Sequence, residues 1–336
     1  MNDMIPPAGQ NSRLRNLGTT RAAFVTSLAA LTAWGGTSIA PARAQALPIT
    51  VATIGGDIGA QIYYAKELGL FEKAGLAVQI APFNQAAVPA ALLNGSIDVS
   101  YYNVLGTAVA HSKGLPFSFV AAANLYVATA VNAGFLAVLN ASPIRMAKDL
   151  EGKTIGVNGL FGIPEYSARA WIDLNGGDSS KARFVQLLFS EMADAVGAGR
   201  VDAASMEVTA DPTLGKPGDR FRAIGRCFDA VAPKFMPGGW LASNAWIAAH
   251  PIETKAFIGV MRQAAIWANA HHHESAAILA KYSQIPETLL NNIIRATYGT
   301  ELTAALLQPN IDVAVKYGAL VSRFDAQDLI SKVAAS

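Results

Sequence analysis

Short apolar runs alternate with segments of helical periodicity along most of the chain, and this pattern predicts an α/β protein. The run ITVATI (Ile49 to Ile54) predicts a strand, and it is followed by a loop, GGDIG, and a helical segment, AQIYYAKELGLFEKAG. LAVQIAP, AAVPAALLNG and IDVSYYN then predict a strand, a helix and a third strand. Regular alternation of this kind is typical of a sheet that is largely parallel.

The same series begins again after residue 153. TIGVN predicts a strand, GLFG a loop, and PEYSARAWIDLNGG a helix with Pro164 near its first turn. RFVQLLF, SEMADAVGAG and VDAASMEV continue as strand, helix and strand. Three residue pairs share an offset of 104 positions: Gly55 and Gly159, Gly95 and Gly199, Asp98 and Asp202. We therefore expect two similar lobes, with one large sheet as the alternative.

Two extended, glycine-containing segments separate the predicted lobes. Residues 117–144 lead from the first series to the second, and residues 236–251 lead back. Two crossings form a hinge beside a cleft, which is a common place for ligands and for closure. We expect residues 45–130 and 239–336 to form a discontinuous lobe 1, and residues 131–238 to form lobe 2. The tail after Pro286 predicts further helices.

The first 44 residues have the pattern of a cleaved secretory signal. Arg13, Arg15 and Arg21 precede the apolar run AAFVTSLAALTAW, and ARA at Ala42 to Ala44 offers small residues for cleavage. The alternative is a membrane anchor, but the run is alanine-rich and short for a span of about 20 residues. We expect an exported, periplasmic protein, with the general secretory and twin-arginine routes both open.

Charge and cysteine content narrow the class of partner. The chain carries 26 basic and 24 acidic residues, of which residues 1–44 hold four and one, so the remainder has 22 and 23. A nearly neutral mature chain does not indicate binding to nucleic acid. Cys227 is the single cysteine, which excludes an internal disulfide bond. We expect a monomer without a cofactor or a bound metal.

Several segments resemble a known family. AKELGLFEKAGLAVQI, LLNGSIDVSYYN, DLEGKTIGVNG, AGRVDAASMEV and HPIETKAFIGVMRQAAIWANA are similar to segments of the solute-binding proteins of ABC importers in the nitrate, sulfonate and taurine group. The resemblance extends from about Leu47 to Ala280. It implies a two-lobed type II periplasmic-binding-protein fold, a small-molecule ligand held between the lobes, and delivery of that ligand to an ABC permease in the inner membrane.

In sheets of this kind the carboxyl ends of the strands face the cleft, and each following helix begins there. The loops GGDIG and NGLFG would therefore bring backbone N–H groups towards an acceptor on the ligand. The third strand of each lobe and the crossings add aromatic and polar side chains. The candidate ligand-binding residues are Gly55, Gly56, Asp57, Ile58, Tyr101, Tyr102, Asn103, Asn124, Asn158, Gly159, Leu160, Phe161, Gly162, Glu207 and Trp240.

The same segments leave the ligand class open. They contain no lysine or arginine, although a sulfonate or carboxylate is often clamped by a guanidinium group. A sulfonate-like, an aromatic and a heterocyclic ligand are all compatible with them. Two other functions stay open: an enzyme on the same fold, similar to pyrimidine synthases or sulfinate desulfinases, and an exported ligand sensor. Cys227 and the run His271 to His273 are better explained by packing and by a solvated helix end than by catalysis or a metal site.

Overall fold

The computed structural model of the protein describes residues 48–82, 85–130, 134–206 and 220–334, all within the unit Gln45–Ser336. The predicted signal peptide and Glu207 lie outside these ranges. Among the helices within them, none is both long and apolar enough to cross a membrane.

The secondary structure follows the predicted alternation. The strands are β1 (Pro48–Thr53), β2 (Ala77–Pro82), β3 (Val99–Asn103), β4 (Phe117–Ala122), β5 (Asn124–Val127), β6 (Phe135–Leu139), β7 (Thr154–Val157), β8 (Arg183–Gln186), β9 (Ala203–Met206), β10 (Phe221–Arg226), β11 (Lys234–Phe235), β12 (Gly238–Ser243) and β13 (Thr297–Tyr298). The α-helices are α1 (Gln61–Glu67), α2 (Leu70–Lys73), α3 (Val88–Asn94), α4 (Val104–Ser112), α5 (Ile163–Leu174), α6 (Phe189–Gly197), α7 (Asn244–Ala249), α8 (Pro251–Ala270), α9 (His272–Tyr282), α10 (Glu287–Leu290) and α11 (Ala304–Lys316).

The strands form two large sheets of the same topology. Within the described residues, one sheet has the order β2-β1-β3-β12-β4 and the other has the order β8-β7-β9-β6-β10. In each, the first three strands are parallel and the last two are antiparallel to their neighbours. We call the first sheet and its helices lobe 1, and the second sheet and its helices lobe 2. The prediction of a two-lobed α/β fold is confirmed.

The predicted repeat is present in the hydrogen bonds as well as in the topology. The carboxylate of Asp98 accepts a hydrogen bond from the N–H of Thr50 at 2.7 Å, and that of Asp202 accepts one from Thr154 at 2.9 Å. The pairing of β1 with β3 and of β7 with β9 also keeps one register when shifted by 104 positions. Each acid therefore joins the start of the third strand of its lobe to the first strand.

A small third sheet contains the connection between the lobes. Its order is β11-β5-β13, and its pairings are antiparallel. The chain leaves lobe 1 through β5 and returns through β11, while β13 comes from the C-terminal segment and pairs with β5. We call this the hinge sheet. The tail was predicted to be helical, and β13 is the exception.

The return crossing is shorter than the sequence predicts. The expected crossing at residues 236–251 is wrong beyond Pro237, because β12 is an inner strand of lobe 1 and α7 is a helix. A Cβ atom on Gly238 would lie 2.4 Å from the hydroxyl of Tyr101, and one on Gly239 would lie 2.8 Å from the ring of Phe119. These glycines make room for aromatic rings within a sheet and do not mark a hinge.

One predicted helix is divided. The segment from Ala60 to Gly75 forms α1 and α2, with Gly69 between them in the left-handed region at φ 63°. Glycine reaches this conformation without the steric cost that a Cβ atom imposes, and it commonly ends a helix in this way. The apolar face of the segment stays continuous, since Tyr64 and Phe71 are both buried.

Candidate functional site

A cavity of about 410 Å³ lies where both lobes and the hinge sheet come together. Lobe 1 contributes the loop after β1, the end of β3 and the start of α4. Lobe 2 contributes the loop after β7, the first turn of α5 and the end of β8, and β5 adds residues of the hinge sheet. The cavity is therefore at the carboxyl ends of parallel strands, as expected for a sheet of this type.

Ten of the predicted site residues line this cavity. They are Ile58, Tyr101, Tyr102, Asn103, Asn124, Asn158, Gly159, Leu160, Phe161 and Gly162. Gly55, Gly56, Asp57 and Trp240 do not line it. Whether the ten contact a ligand stays a prediction.

The two tyrosines at the end of β3 have different surroundings. Tyr101 is 4% exposed, and its hydroxyl donates to Oδ1 of Asn124 at 2.8 Å. Tyr102 is partly buried above Gly106, at the start of α4, and burial raises the pKa of its hydroxyl. Both rings line the cavity, although neighbouring residues on a strand point to opposite faces. Tyr101 is the buried tyrosine and Tyr102 is the more accessible one.

The loop after β7 presents an aromatic ring and already uses one of its own N–H groups. Phe161 is 74% exposed, and its backbone lies in the left-handed region at φ 58°, which is uncommon for a residue other than glycine. Its N–H donates to the carboxylate of Glu165 at 2.8 Å. Of the N–H groups that this loop was expected to offer, that of Phe161 is therefore occupied by an acid in the first turn of α5.

Glu165 is itself buried and paired. Nη2 of Arg169 lies 2.7 Å from its carboxylate, and Nε of the same arginine donates to it at 2.8 Å. The guanidinium group also donates to the carbonyl oxygen of Ser179 and stands 4.3 Å from the ring of Phe184. The positive end of α5 is thus compensated within the protein.

The loop after β1 is anchored by Asp57, which does not line the cavity. Asp57 is 6% exposed, and one carboxylate oxygen lies 2.7 Å from Nη2 of Arg295. The other accepts a hydrogen bond from the N–H of Ala296 at 2.6 Å. Burial opposes the charge of Arg295, but the hydrogen bond and charge of Asp57 outweigh it and raise the pKa of the guanidinium group. Asp57 therefore joins the loop to the C-terminal segment.

Trp240 is a core residue. Its side chain is fully buried, and its indole N–H donates to Gln61 at 2.8 Å. The ring packs edge-on against Tyr101 and Phe257. Trp240 supports the cavity wall from behind through Tyr101 and is not available to stack on a ligand.

The polar groups in the cavity are mostly amides. Oδ1 of Asn103 accepts a hydrogen bond from the N–H of Gly106 at 2.6 Å, which caps α4 and leaves the amide N–H₂ of Asn103 as a donor. Oδ1 of Asn158 is buried and has no hydrogen-bond partner among the described residues. Asn124, whose Oδ1 accepts a hydrogen bond from Tyr101, and Gln186 at the end of β8 add a third and a fourth amide. The described lining residues include no charged side chain.

Ten further residues line the cavity and were not predicted: Ile54, Gly106, Leu125, Tyr126, Ile163, Pro164, Gln186, Phe228, Pro237 and Ala296. Gln186 was accessible to sequence reasoning, because it ends a parallel strand of lobe 2. Tyr126 comes from the hinge sheet and Phe228 from the turn after β10, while Pro237 lies between β11 and β12 and Ala296 lies in the C-terminal segment. No local pattern marks them as neighbours of the cleft.

The groups considered for catalysis lie elsewhere. Cys227 is fully buried, does not line the cavity, and burial raises the pKa of its thiol. His271 and His273 are held by Trp267 and Asn291 through their ring nitrogens. Within the described residues, no group of three histidine, cysteine or acidic side chains could hold a metal ion.

Two lobes of equal topology, a hinge sheet and a cavity at the strand ends define the two-lobed periplasmic-binding-protein fold. The NMT1/THI5-like family model matches residues 59–275, which is more than half of the chain, and the protein belongs to this family. A comparison with curated protein sequences gives no match.

Solved structures share the fold at low sequence identity. The periplasmic aliphatic sulphonate binding protein SsuA from Escherichia coli aligns with a TM-score of 0.67 and 17% identity, over 85% of this chain and 92% of that chain. The alkanesulfonate-binding protein SsuA from Xanthomonas axonopodis pv. citri, bound to MOPS, gives 0.63 and 18%, over 87% and 96%. The desulfurization enzyme DSZB gives 0.66 and 13%, over 85% and 98%.

Proposed function

We propose that the protein is the periplasmic substrate-binding component of an ABC importer. It captures a small organic molecule in the cavity between its lobes and delivers it to a permease in the inner membrane. The observation that carries this proposal is a cavity of about 410 Å³ to which the strand ends of both lobes and the hinge sheet contribute. A ligand that contacts both lobes stabilises the closed form, which a permease can then recognise.

The comparisons support the same role. Membership of the NMT1/THI5-like family and the likeness of the fold to two sulfonate-binding proteins agree with a binding component. The residues preceding the described part have the pattern of a signal peptide, which agrees with a periplasmic location. As an exported monomer, the protein would bind its ligand without a second chain. The permease would then bind only the closed form.

The likeness to DSZB makes an enzyme the second candidate. Against it, none of the described lining residues is a cysteine, a histidine or an acid, the side chains that most often serve as nucleophile or general base. Cys227, the single cysteine of the chain, is buried outside the cavity. We therefore propose binding without catalysis.

The proposal is tested by recovering the ligand. The full chain, produced in a bacterial host with its leader, is purified from the periplasm and examined by native mass spectrometry for a compound that leaves on denaturation. Added back at a hundred times its dissociation constant, an unchanged compound should stabilise the protein by about 2.7 kcal/mol. Recovery of a chemically altered compound would support the enzyme instead.

A pair of tyrosine variants ties the binding to the cavity. Tyr102→Ala removes an accessible ring from the lining and should weaken binding at least tenfold, roughly the loss expected for a buried aromatic contact. Tyr282→Ala, on the outer helix α9, should leave affinity unchanged. Equal affinities in both variants would contradict the assignment of the cavity. Uptake that requires the protein, measured with the recovered compound in cells, separates import from sensing.

A further inference from the structure

We propose that the cavity takes an uncharged, planar aromatic compound that carries a hydrogen-bond donor. This inference rests on the proposed binding role and names the class of ligand. It is drawn from three properties of the described lining: its charge, its aromatic side chains, and one buried amide oxygen that lacks a partner.

The charge around the cavity is already balanced. The described lining contains no charged side chain. Three carboxylates that are adjacent in sequence to lining residues are each paired with an arginine: Glu165 with Arg169, Asp57 with Arg295, and Asp229 with Arg226. An anionic ligand that binds here would lose its hydration without contacting an unpaired cation among the described lining residues. Burial of an unpaired charge is strongly unfavourable.

The backbone N–H groups at the start of a helix can also bind an anion, but one N–H group in the loop before α5 is already occupied. The carboxylate of Glu165 accepts the N–H of Phe161 and lies within the first turn of α5. A second negative group in the same loop would be close to this buried acid. The arrangement therefore favours a neutral ligand over a sulfonate or a carboxylate.

Aromatic rings reach the cavity from every side that the structure describes. Tyr102 comes from lobe 1, Phe161 from lobe 2, and Tyr126 and Phe228 stand beside the hinge, packed edge-on with centroids 5.3 Å apart. Phe161 is 74% exposed, and its backbone lies in the left-handed region. A flat ring that entered between the lobes would cover these apolar faces, and a flexible aliphatic chain would do so less completely.

The amides set the hydrogen bonds of the ligand. Oδ1 of Asn158 is buried without a partner among the described residues, and an unsatisfied buried acceptor is costly. An N–H or O–H donor on the ligand would satisfy it. Asn103, whose oxygen is fixed by the N–H of Gly106, has its N–H₂ group left for an acceptor on the ligand. A neutral aromatic amide or nitrogen heterocycle has both groups in one plane.

Matched pairs of small probes test the charge preference. Ligand-observed NMR and calorimetry on the full chain at pH 7 compare benzamide with benzoate, nicotinamide with nicotinate, and naphthalene-2-carboxamide with naphthalene-2-carboxylate. We expect each amide to bind about tenfold or more tightly than its carboxylate, since the carboxylate loses hydration without gaining a cation. Tighter binding of the carboxylates or of ethanesulfonate, or binding of neither member of any pair, would overturn the inference.

The donor is tested at Asn158. Asn158→Leu should weaken benzamide binding by about fivefold to tenfold, the value of one buried hydrogen bond, and should leave N,N-dimethylbenzamide, which has no N–H, unaffected. Asn292→Leu, at an exposed position, is the matched control and should change neither affinity. Loss of both affinities in Asn158→Leu would indicate a packing role and contradict the assignment of the oxygen.

A gain-of-function variant completes the test. Gln186→Arg replaces a lining side chain by a cationic one of similar length and should raise benzoate affinity about tenfold. Gln284→Arg, at an exposed position outside the cavity, should leave benzoate affinity unchanged. Unchanged benzoate affinity in Gln186→Arg would count against the explanation by charge. A bound compound that proves to be an anion would overturn this inference and leave the proposed binding role intact. Absence of any bound compound would contradict the binding role itself.

Discussion

The buried ion pair between Asp57 and Arg295 connects two parts of the chain that are far apart in sequence. Besides the arginine, Asp57 accepts hydrogen bonds from the N–H of Ala296 and the hydroxyl of Tyr298. Nη2 of Arg295 also donates to the hydroxyl of Tyr64, while its Nε and Nη1 have no partner among the described residues. A cation buried in this way depends strongly on its carboxylate.

Replacement of this carboxylate is expected to be severe. Asp57→Asn should lower the free energy of unfolding by about 3–5 kcal/mol, because it leaves the guanidinium group of Arg295 buried without a counter-charge. The matched control is Asp312→Asn, which removes the same type of pair with Arg323 at an exposed site and should cost about 0–1 kcal/mol. Urea denaturation measures both values, and similar small losses would contradict a structural role for Asp57.

The same cluster predicts an alkaline limit to stability. Burial, with the charge of Asp57 next, raises the pKa of Tyr64 from 10.0 to about 12. The folded state keeps this proton after the unfolded chain has lost it, so the contribution is complete below pH 10 and falls as the pH rises towards 12. Urea denaturation of Tyr64→Phe between pH 9 and pH 12 should show a shallower decline than the parent protein. An equal slope in both would be inconsistent with this assignment.

At the scale of elements, the repeat makes two acids equivalent. Asp98 and Asp202 each join the third strand of a lobe to the backbone of the first strand. A charged acceptor on a backbone N–H contributes more than a neutral one. The two acids are equivalent because both lobes have the same topology, and in each lobe the acid just before the third strand accepts a hydrogen bond from the backbone of the first strand.

We therefore expect matched losses from matched substitutions. Asp98→Ala and Asp202→Ala should each reduce stability by about 1–3 kcal/mol and speed hydrogen exchange at Thr50 and Thr154, respectively. Asp328→Ala, an exposed acid whose side chain caps no strand, should stay within about 0.5 kcal/mol of the parent. A large effect in one lobe and none in the other would argue against a common role.

At the scale of the whole molecule, the C-terminal segment contacts both lobes. Helix α11 packs against α4 of lobe 1 and α5 of lobe 2. Just after it, the ring of Tyr317 stacks on Tyr166 with centroids 5.9 Å apart, and its hydroxyl donates to Asp173 at 2.7 Å. Rotation of lobe 2 about the hinge sheet would disturb these contacts.

Tyr317 lies outside the cavity, so its effect on binding would act through closure. Tyr317→Ala should weaken ligand affinity roughly twofold to tenfold, the loss expected when one aromatic pair is removed. It should also increase the radius of gyration of the ligand-free protein. Small-angle scattering and calorimetry on the same sample measure the two effects. Tyr282→Ala, which removes a stacked ring within lobe 1 alone, should change neither. A loss of affinity without any change in shape would contradict the closure explanation.

Much of this architecture could be predicted because it is local. Apolar periodicity identified the strands and helices of both lobes, and an offset of 104 residues identified the repeat. The rule that parallel strands end at one edge of a sheet grouped Tyr102, Asn103 and Asn158, and all three line the cavity. These inferences depend on neighbours along the chain or on a general property of parallel sheets.

Local sequence patterns were enough to predict the two lobes, the loops between strand and helix, and ten residues that line the cavity. Contacts that form only in the packed molecule pair Asp57 with an arginine 238 residues away, bury Trp240 in the core and hold Gly238 in a strand. An aspartate, a tryptophan or a glycine has the same local signature in a cleft and in a core. Burial and distant partners distinguish the two, and both are set only when the chain has packed.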